Sequence, residues 1–218
     1  VTATPTVVCS GNSSTLQALG AQTYTFFTPF TQTSSVIVSP TTTTIYTVQA
    51  QFNNGCVTTQ TTLLNSQPTP TITILSLPGV ICIGEQGSLE GSGATTYTWM
   101  PSASNNTNII VTPTTTTTYT LFGQTGACVG NSVVTVTVNP SPTLSAIVTT
   151  PTLCLSKNTD MFVSGASSFT WEPGSIFGFS TNVSPTVNTT YTVTGNSLNC
   201  FSSQTVNVII VQNPTLTI

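Results

Sequence analysis

The sequence predicts an all-β protein built from three tandem β-sandwich domains, and three observations support this prediction. Landmark residues recur with a period of about 72 residues along the 218-residue chain. Short runs rich in Thr, Val, Ile and aromatic residues alternate with segments that contain Gly and Pro, a pattern typical of strands joined by turns. No segment carries the apolar periodicity of a helix three turns long. Many short strands separated by turns favour two packed sheets in each repeat.

Four sets of landmarks define the repeats. The first cysteines are spaced by 73 and 72 residues: Cys9, Cys82 and Cys154. The second cysteines are spaced by 72 residues: Cys56, Cys128 and Cys200. A glycine opens an aromatic run in each repeat: Gly20, Gly93 and Gly165. A proline precedes a tyrosine by six residues: Pro40–Tyr46, Pro113–Tyr119 and Pro185–Tyr191. We predict domains at residues 1–66, 67–139 and 140–212, followed by a C-terminal strand at 213–218.

Alternation within a repeat indicates which side chains face a core. In the third repeat, β-rich runs predict strands at 161–164, 168–171, 189–194 and 205–211. Tyr191 and Val193 share one face of their run and threonines the other. The run 134–138 alternates in the same way, so we expect Val134, Val136 and Val138 to face the core.

The six cysteines pair most simply within the repeats. This predicts the disulfides Cys9–Cys56, Cys82–Cys128 and Cys154–Cys200. Each bond closes a loop of about 46 residues, worth roughly 4 kcal/mol in the chain-entropy model, a large contribution for a small β-domain. Structural disulfides indicate an oxidising compartment, so we expect the chain to be extracellular or at the cell surface.

A large aromatic residue lies 17 residues after the first cysteine of each repeat: Phe26, Trp99 and Trp171. An aromatic on the third strand, packed over a disulfide, is the pattern of immunoglobulin domains. We therefore predict immunoglobulin-like sandwiches. The order of cysteine, GASSFTWEPG, SPTVNTTYTVTG, cysteine and NVIIVQNP resembles the immunoglobulin- or PKD-like repeats of large secreted surface proteins of Bacteroidota, including gliding-type adhesins. That resemblance implies secretion to the cell surface and a structural or adhesive role.

The chain ends contain the motif that bears most on function. Pro70–Ile74 and Pro142–Ala146 begin twelve residues before the first cysteine of their repeats, and repeat 1 has no such segment before Val1. The same motif occurs at the C-terminus as Pro214, Thr215, Leu216, Thr217 and Ile218. We expect domain 1 to lack its first strand and residues 213–218 to act as a donor strand that completes domain 1 of the next subunit. Leu216 and Ile218 would enter the core, with Thr215 and Thr217 facing outward.

Two other interpretations of this tail remain open. The tail is the start of a fourth repeat if the chain is cut from a longer array, or it is a disordered end of a monomer. The resulting hypotheses are a filament subunit that polymerises with identical subunits and, alternatively, a segment of a cell-surface adhesin or stalk that binds glycans or surfaces.

The charge content disfavours several function classes. Lys157 is the sole basic residue among 218, and the chain has four acidic residues and no His. Such a chain cannot neutralise a nucleic-acid backbone. A Ser–His–Asp arrangement is impossible, so we expect no enzymatic activity. We also expect no metal, no cofactor and no membrane insertion. Candidate N-glycosylation sequons begin at Asn12, Asn105, Asn182 and Asn188.

Overall fold

A computed structural model describes residues 1–212 of the chain. Within this range every element is a β-strand, and the strands pair into six sheets. This confirms the all-β prediction. The part of the chain that the structure describes holds no helix long and apolar enough to cross a membrane. The candidate donor strand at 213–218 lies outside the described residues.

Repeat 1 consists of eight strands in two sheets. Their bounds are β1 Thr2–Thr4, β2 Val7–Cys9, β3 Ser14–Gln17, β4 Thr23–Phe27, β5 Phe30–Thr31, β6 Ser35–Val38, β7 Thr44–Gln51 and β8 Val57–Gln67. The smaller sheet has the order β1-β3-β6 and the larger sheet the order β2-β8-β7-β4-β5. Strand β8 extends one residue past the predicted domain boundary at 66.

Repeat 2 consists of seven strands. Their bounds are β9 Thr73–Leu77, β10 Val80–Cys82, β11 Gly87–Ser92, β12 Thr96–Met100, β13 Asn108–Val111, β14 Thr117–Thr125 and β15 Cys128–Asn139. These strands form a sheet of order β13-β11-β9 and a sheet of order β10-β15-β14-β12.

Repeat 3 returns to the eight-strand pattern of repeat 1. Its strands are β16 Ser145–Val148, β17 Thr152–Cys154, β18 Thr159–Ser164, β19 Ser168–Glu172, β20 Ile176–Phe177, β21 Ser180–Val183, β22 Thr189–Ser197 and β23 Cys200–Val211. The sheets have the orders β16-β18-β21 and β17-β23-β22-β19-β20.

Alternating side chains from the two sheets of a repeat form its core. In repeat 3, Met161 and Val163 from the smaller sheet pack with Trp171, Tyr191 and Val193 from the larger one. In repeat 1, Leu16 from the smaller sheet packs with Phe26 and Leu64 from the larger sheet. Each repeat is therefore a sandwich held together by period-two burial. Of the three valines predicted to face the core of repeat 2, Val136 is fully buried and Val134 and Val138 are half-buried.

The described chain divides into two compact units. The first comprises Val1–Leu77, Ser88–Ile110 and Thr118–Thr135, and the second comprises Pro78–Gly87, Val111–Thr117 and the residues from Val136 onward. The first unit contains all of repeat 1 and the second contains all of repeat 3. The strands of repeat 2 are divided between them.

The first strand of repeat 1 is present in a short form, against the prediction that domain 1 lacks it. Strand β1 pairs antiparallel with β3, with Ala3 opposite Leu16. Ala3 is buried in the core, which explains why this short segment is held in the sheet. Strand β1 has three residues, whereas β9 has five, and β9 continues from a buried Ile72. By the repeat spacing, the position of Ile72 corresponds in repeat 1 to a position before Val1.

Candidate functional site

The disulfides connect successive repeats. Cys9 bonds to Cys128, with their Cα atoms 5.5 Å apart. Cys82 bonds to Cys200, with a Cα–Cα distance of 5.6 Å. In both bonds the first cysteine of one repeat meets the second cysteine of the next. The predicted pairs Cys9–Cys56, Cys82–Cys128 and Cys154–Cys200 are therefore wrong. The bonds themselves still indicate an oxidising compartment.

Parallel strand pairing explains why a bond within one repeat cannot form. In repeat 3, β17 runs parallel to β23, and Cys154 lies opposite Val211, the last residue of β23. Cys200 is the first residue of that 12-residue strand. At about 3.3 Å per residue, the two cysteines lie roughly 36 Å apart. A disulfide requires Cα atoms within about 7 Å.

The first joint between repeats combines a disulfide with side-chain packing. Cys9 lies opposite Gln67 at the end of β8. The Sγ of Cys128 lies 3.8 Å from the carbonyl oxygen of Gln67. A Cβ added at Gly126, in the turn before Cys128, would lie 2.6 Å from Oε1 of Gln67. The end of repeat 1 therefore contacts the β14–β15 hairpin of repeat 2.

The second joint has the same construction. Cys82 lies opposite Asn139 at the end of β15. The Sγ of Cys200 lies 3.8 Å from the carbonyl oxygen of Asn139. The side-chain amide of Asn139 donates to the carbonyl of Leu198, in the β22–β23 turn, at 3.2 Å. We call this arrangement, a strand end bonded to the following hairpin, an inter-repeat joint.

Cys56 and Cys154 are the two cysteines of the described chain without a disulfide, and both are exposed. Cys154 ends β17, the position that Cys9 and Cys82 hold in their repeats. Cys56 ends the β7–β8 hairpin loop, where its carbonyl accepts from the backbone N–H of Phe52. Cys154 and Cys56 therefore hold the positions in their repeats that the bonded cysteines hold at the inter-repeat joints.

The aromatic residues Phe26, Trp99 and Trp171 are fully buried, as the sequence predicts. They do not pack over a disulfide of their own repeat, because none of the repeats contains one. The indole N–H of Trp99 donates to the carbonyl of Asn106 at 2.9 Å. That of Trp171 donates to Gly178 at 3.1 Å. These aromatics fill the core that a disulfide crosses in immunoglobulin domains.

Beside each inter-repeat joint, the chain enters the next repeat through a groove lined by small residues. In repeat 2, a Cβ added at Gly123 would lie 2.3 Å from Cδ1 of Ile72 and 2.7 Å from Cβ of Ala94. A Cβ added at Gly93, which has φ +99°, would lie 1.9 Å from the carbonyl oxygen of Thr71. The absence of side chains at these glycines lets the strand lie directly on the sheet.

Repeat 3 has the same groove, and the equivalent segment of the chain fills it. A Cβ added at Gly195 would lie 2.5 Å from Cδ2 of Leu144, and one added at Gly165 would lie 1.9 Å from the carbonyl oxygen of Thr143. We call this feature the first-strand groove. Its occupant is a Thr followed by a large aliphatic residue, from the motif that begins at Pro70 or Pro142.

In repeat 1, no residue of the range 1–212 fills the first-strand groove, and we call this groove open. Gly20 corresponds to Gly93 and Gly165 and has φ +96°, but an added Cβ would meet no described atom within 4 Å. Ala50 lies opposite Tyr24 in the β4–β7 pair, as Gly123 lies opposite Tyr97 in repeat 2. A cleft of about 510 Å³ lies beside Gly20 and the hairpin that carries Cys56. Its lining residues are Gly20, Ala21, Gln22, Phe52, Asn53 and Asn54.

The candidate glycosylation sequons lie on exposed residues. Asn12, Asn105, Asn182 and Asn188 are all exposed. The side-chain amide of Asn182 donates to Asp160 Oδ1 at 2.7 Å, so its nitrogen is already engaged. Modification at these four positions stays a prediction.

Charged groups are scattered over the described surface. Glu172 accepts hydrogen bonds from the side chain and then the backbone N–H of Ser175, and these lower the pKa of its carboxyl group. It organises the β19–β20 turn. In residues 1–212, no three His, Cys, Asp or Glu side chains come together as a metal site would require. The two unbonded cysteines are a feature that the sequence analysis missed, because it paired all six cysteines within the repeats.

Comparison with known proteins gives only distant likenesses. No family model matches the chain. No curated protein matches it either. The I67–I69 I-band fragment of titin aligns at 12% identity over 95% of both chains, with a TM-score of 0.44. Domains 3–5 of the extracellular part of Drosophila OTK align at 10% identity over 94% of this chain and 93% of that one, with a TM-score of 0.40. A Ca²⁺-stabilised, ice-binding adhesin of an Antarctic bacterium aligns at 12% identity over 96% and 72% of the two chains, with a TM-score of 0.38. The fold assignment rests on the sheets of the chain itself.

Proposed function

We propose that this chain is an extracellular structural subunit that joins head to tail with identical copies to form a filament. In this filament, the segment 213–218 of one copy completes repeat 1 of the next. The observation that carries the proposal is the open first-strand groove at Gly20 and Ala50. Repeats 2 and 3 show what such a groove receives.

The tail has the sequence that the groove requires. Pro214-Thr215-Leu216 repeats the pattern of Pro70-Thr71-Ile72 and Pro142-Thr143-Leu144 at the same period. By this equivalence Leu216 takes the position of Ile72 and Leu144, and the carbonyl of Thr215 lies over Gly20. Main-chain hydrogen bonds would supply affinity and the leucine pocket specificity, as in other cases of strand addition.

The role expected for Ile218 requires revision. By the repeat spacing Ile218 corresponds to Ala146 and Ile74, and in repeat 1 that position is held by Val1. Residues 214–217 therefore supply the missing part of the strand. Ile218 would meet Val1 rather than fill the core.

Association through this groove depends on apolar contact and backbone pairing. Burying one leucine side chain contributes about 1.5–3 kcal/mol. The chain has one basic and four acidic residues, so ion pairs contribute little. We therefore expect assembly to persist at about 1 M NaCl, where the Debye length is only about 3 Å.

The contact joins two different surfaces, so it does not close on itself. A tail that binds the head of the next copy leaves one head and one tail free, and such heterologous contacts propagate as open filaments. Two disulfides in the chain support an oxidising compartment for this assembly, which favours the extracellular space.

A second candidate function is a segment of a long cell-surface adhesin or stalk that binds glycans or surfaces. The two internal joints favour it, because they link repeats of one chain by the same disulfide and first strand. In that arrangement a further repeat of a longer chain would supply the strand, and no second copy is needed.

The chain ending at Gln212, compared with the full chain, separates these functions. Both carry Cys154→Ser, so that no disulfide forms between copies. We expect the full chain to form filaments by electron microscopy and the shortened chain to sediment as a monomer. Leu216→Asn should abolish filaments and Thr215→Ser should retain them. If both chain lengths stay monomeric, the filament is excluded and the array function stands. If both assemble, the contact lies elsewhere.

A further inference from the structure

We propose that Cys154 of one copy forms a disulfide with Cys56 of the next copy, which makes the filament a covalent polymer. This inference rests on the proposed head-to-tail assembly and names the residues that seal it. It follows from the construction of the two internal joints.

At each internal joint, two covalent connections run from the same end of one repeat to the next repeat. One is the continuing chain and the other is the disulfide. At joint 1, the end of β8 leads into the first strand of repeat 2, and its neighbour Cys9 bonds to Cys128. At joint 2, the end of β15 leads into the first strand of repeat 3, and its neighbour Cys82 bonds to Cys200. The first strand and the disulfide therefore always occur together.

The two ends of the chain present the two halves of a third joint. At one end, Cys154 lies opposite Val211, which leads into the tail at 213–218. At the other end, Cys56 follows the hairpin residues Phe52, Asn53 and Asn54, which line the open groove. A tail seated in this groove brings Cys154 toward Cys56, just as Cys82 meets Cys200.

Exposure supports this assignment. Cys128 and Cys200, the hairpin cysteines of the internal joints, are fully buried. Cys56 holds the same position in repeat 1 and is exposed. Contact with the preceding repeat buries Cys128 and Cys200, and no described residue buries Cys56 in the same way.

The third joint differs from the internal ones in two respects. The residue opposite the first cysteine is Val211, where the internal joints have Gln67 and Asn139, so the amide contact to the hairpin is missing. The hairpin of repeat 1 also has a longer loop, since β7 ends at Gln51 and β8 starts at Val57, whereas Ser197 pairs directly with Cys200.

The bond forms by thiol–disulfide exchange with an external disulfide, such as a protein oxidoreductase or glutathione disulfide. The thiols of Cys154 and Cys56 each lose a proton and together give two electrons to that oxidant. One S–S bond forms between the copies, and the oxidant's own S–S bond is reduced to two thiols.

The test uses two complementary variants, Cys56→Ser and Cys154→Ser, in the full chain with glutathione disulfide as the oxidant. The unsubstituted chain should give a ladder on non-reducing gels, in steps of one 22.6 kDa chain. Each variant alone should give monomers. An equal mixture should give a band of two chains and nothing larger. The bond joins Cys154 of the Cys56→Ser variant to Cys56 of the Cys154→Ser variant, and neither chain has a second free cysteine for a further bond.

Three results overturn the inference, and they separate it from the proposed function. Filaments that run as monomers on the non-reducing gel exclude the disulfide and leave the filament standing. If one variant alone gives as much dimer as the equal mixture, each cysteine pairs with its own counterpart in another copy, and the specific Cys154–Cys56 bond is excluded. Monomers on the gel with no filaments in the microscope exclude both. A ladder that also forms from the chain ending at Gln212 supports the disulfide and removes the need for the tail.

Discussion

Cys82 and Cys200 are separated by 118 residues in the sequence, yet their Cα atoms lie 5.6 Å apart. The bond thus ties the far end of a strand in repeat 2 to the hairpin of repeat 3. Cys9 and Cys128 do the same one period earlier. The disulfides of this chain therefore connect modules in series, where the sequence suggested that they close individual modules.

The first prediction concerns which thiols are free. Alkylation of the unreduced monomer should label Cys56 and Cys154, because the other four cysteines are bonded. Peptide mapping by mass spectrometry should then recover the linked pairs Cys9–Cys128 and Cys82–Cys200. The reduced, unfolded chain, in which all six cysteines react, is the control. A linked Cys9–Cys56 peptide would contradict the serial arrangement.

The second prediction concerns the filled groove of repeat 2. Gly123→Ala places a Cβ 2.3 Å from Cδ1 of Ile72 and 2.7 Å from Ala94, so the first strand must shift. We expect the opening free energy of β14 amides, measured by hydrogen exchange, to fall by about 1–3 kcal/mol. The matched control is Gly79→Ala, where an added Cβ meets no described atom within 4 Å and where we expect a change below about 0.5 kcal/mol. Equal effects at both positions would mean that the groove is not tightly occupied.

The third prediction concerns alkaline pH. Burial raises the pKa of Tyr46, Tyr119 and Tyr191 above the usual value of about 10, with a smaller opposing effect of Thr44 on Tyr46. The unfolded chain therefore loses these protons first. Their contribution to stability is complete below about pH 10 and is lost as the pH rises through the raised folded-state values.

Urea unfolding followed between about pH 8 and pH 12 measures this effect. We expect the midpoint to fall above pH 10 in the natural chain. The chain with all three tyrosines replaced by phenylalanine should show a smaller fall. An identical pH profile in both chains would show that these hydroxyls ionise as easily in the folded protein as in the unfolded chain, and this would contradict the raised pKa values.

Much of the fold follows from period and alternation alone. The buried positions of Trp99 and Trp171 could be predicted because the aromatics recur at a fixed distance from a cysteine in every repeat. Period-two burial in β22 correctly placed Tyr191 and Val193 in the core. These features depend on local sequence, which is why one chain was enough to find them.

The disulfide pairing could not be obtained in this way. The spacing of Cys154 and Cys200 is the same whether a bond lies within a repeat or between repeats. What decides is that β17 runs parallel to β23, which moves Cys154 to the opposite end of the sheet from Cys200. Parallel pairing is a tertiary property that leaves no mark in the periodicity. The same limit applies to the short strand β1, whose anchor Ala3 is a weak signal in sequence.

The lining of the groove in repeat 1 is also a tertiary property. The spacing of the Pro70 and Pro142 motifs predicted a missing strand in repeat 1, but it could not show that Gly20, Gly93 and Gly165 line the site where that strand lies. The segment expected to fill this groove, Pro214–Leu216, could be predicted from the repeated motif in the sequence. Together they make the head-to-tail contact a concrete expectation.

The most direct measurement mixes a copy without a usable groove and a copy without a tail. Ala50→Leu fills the groove at the position where Gly123 admits Ile72, and the chain ending at Gln212 keeps the groove open. Both carry Cys154→Ser to prevent covalent links. We predict that each sediments alone as a monomer and that an equal mixture sediments as a dimer of one copy each. A mixture that stays monomeric, when the unsubstituted tail and groove are both present, would contradict head-to-tail assembly.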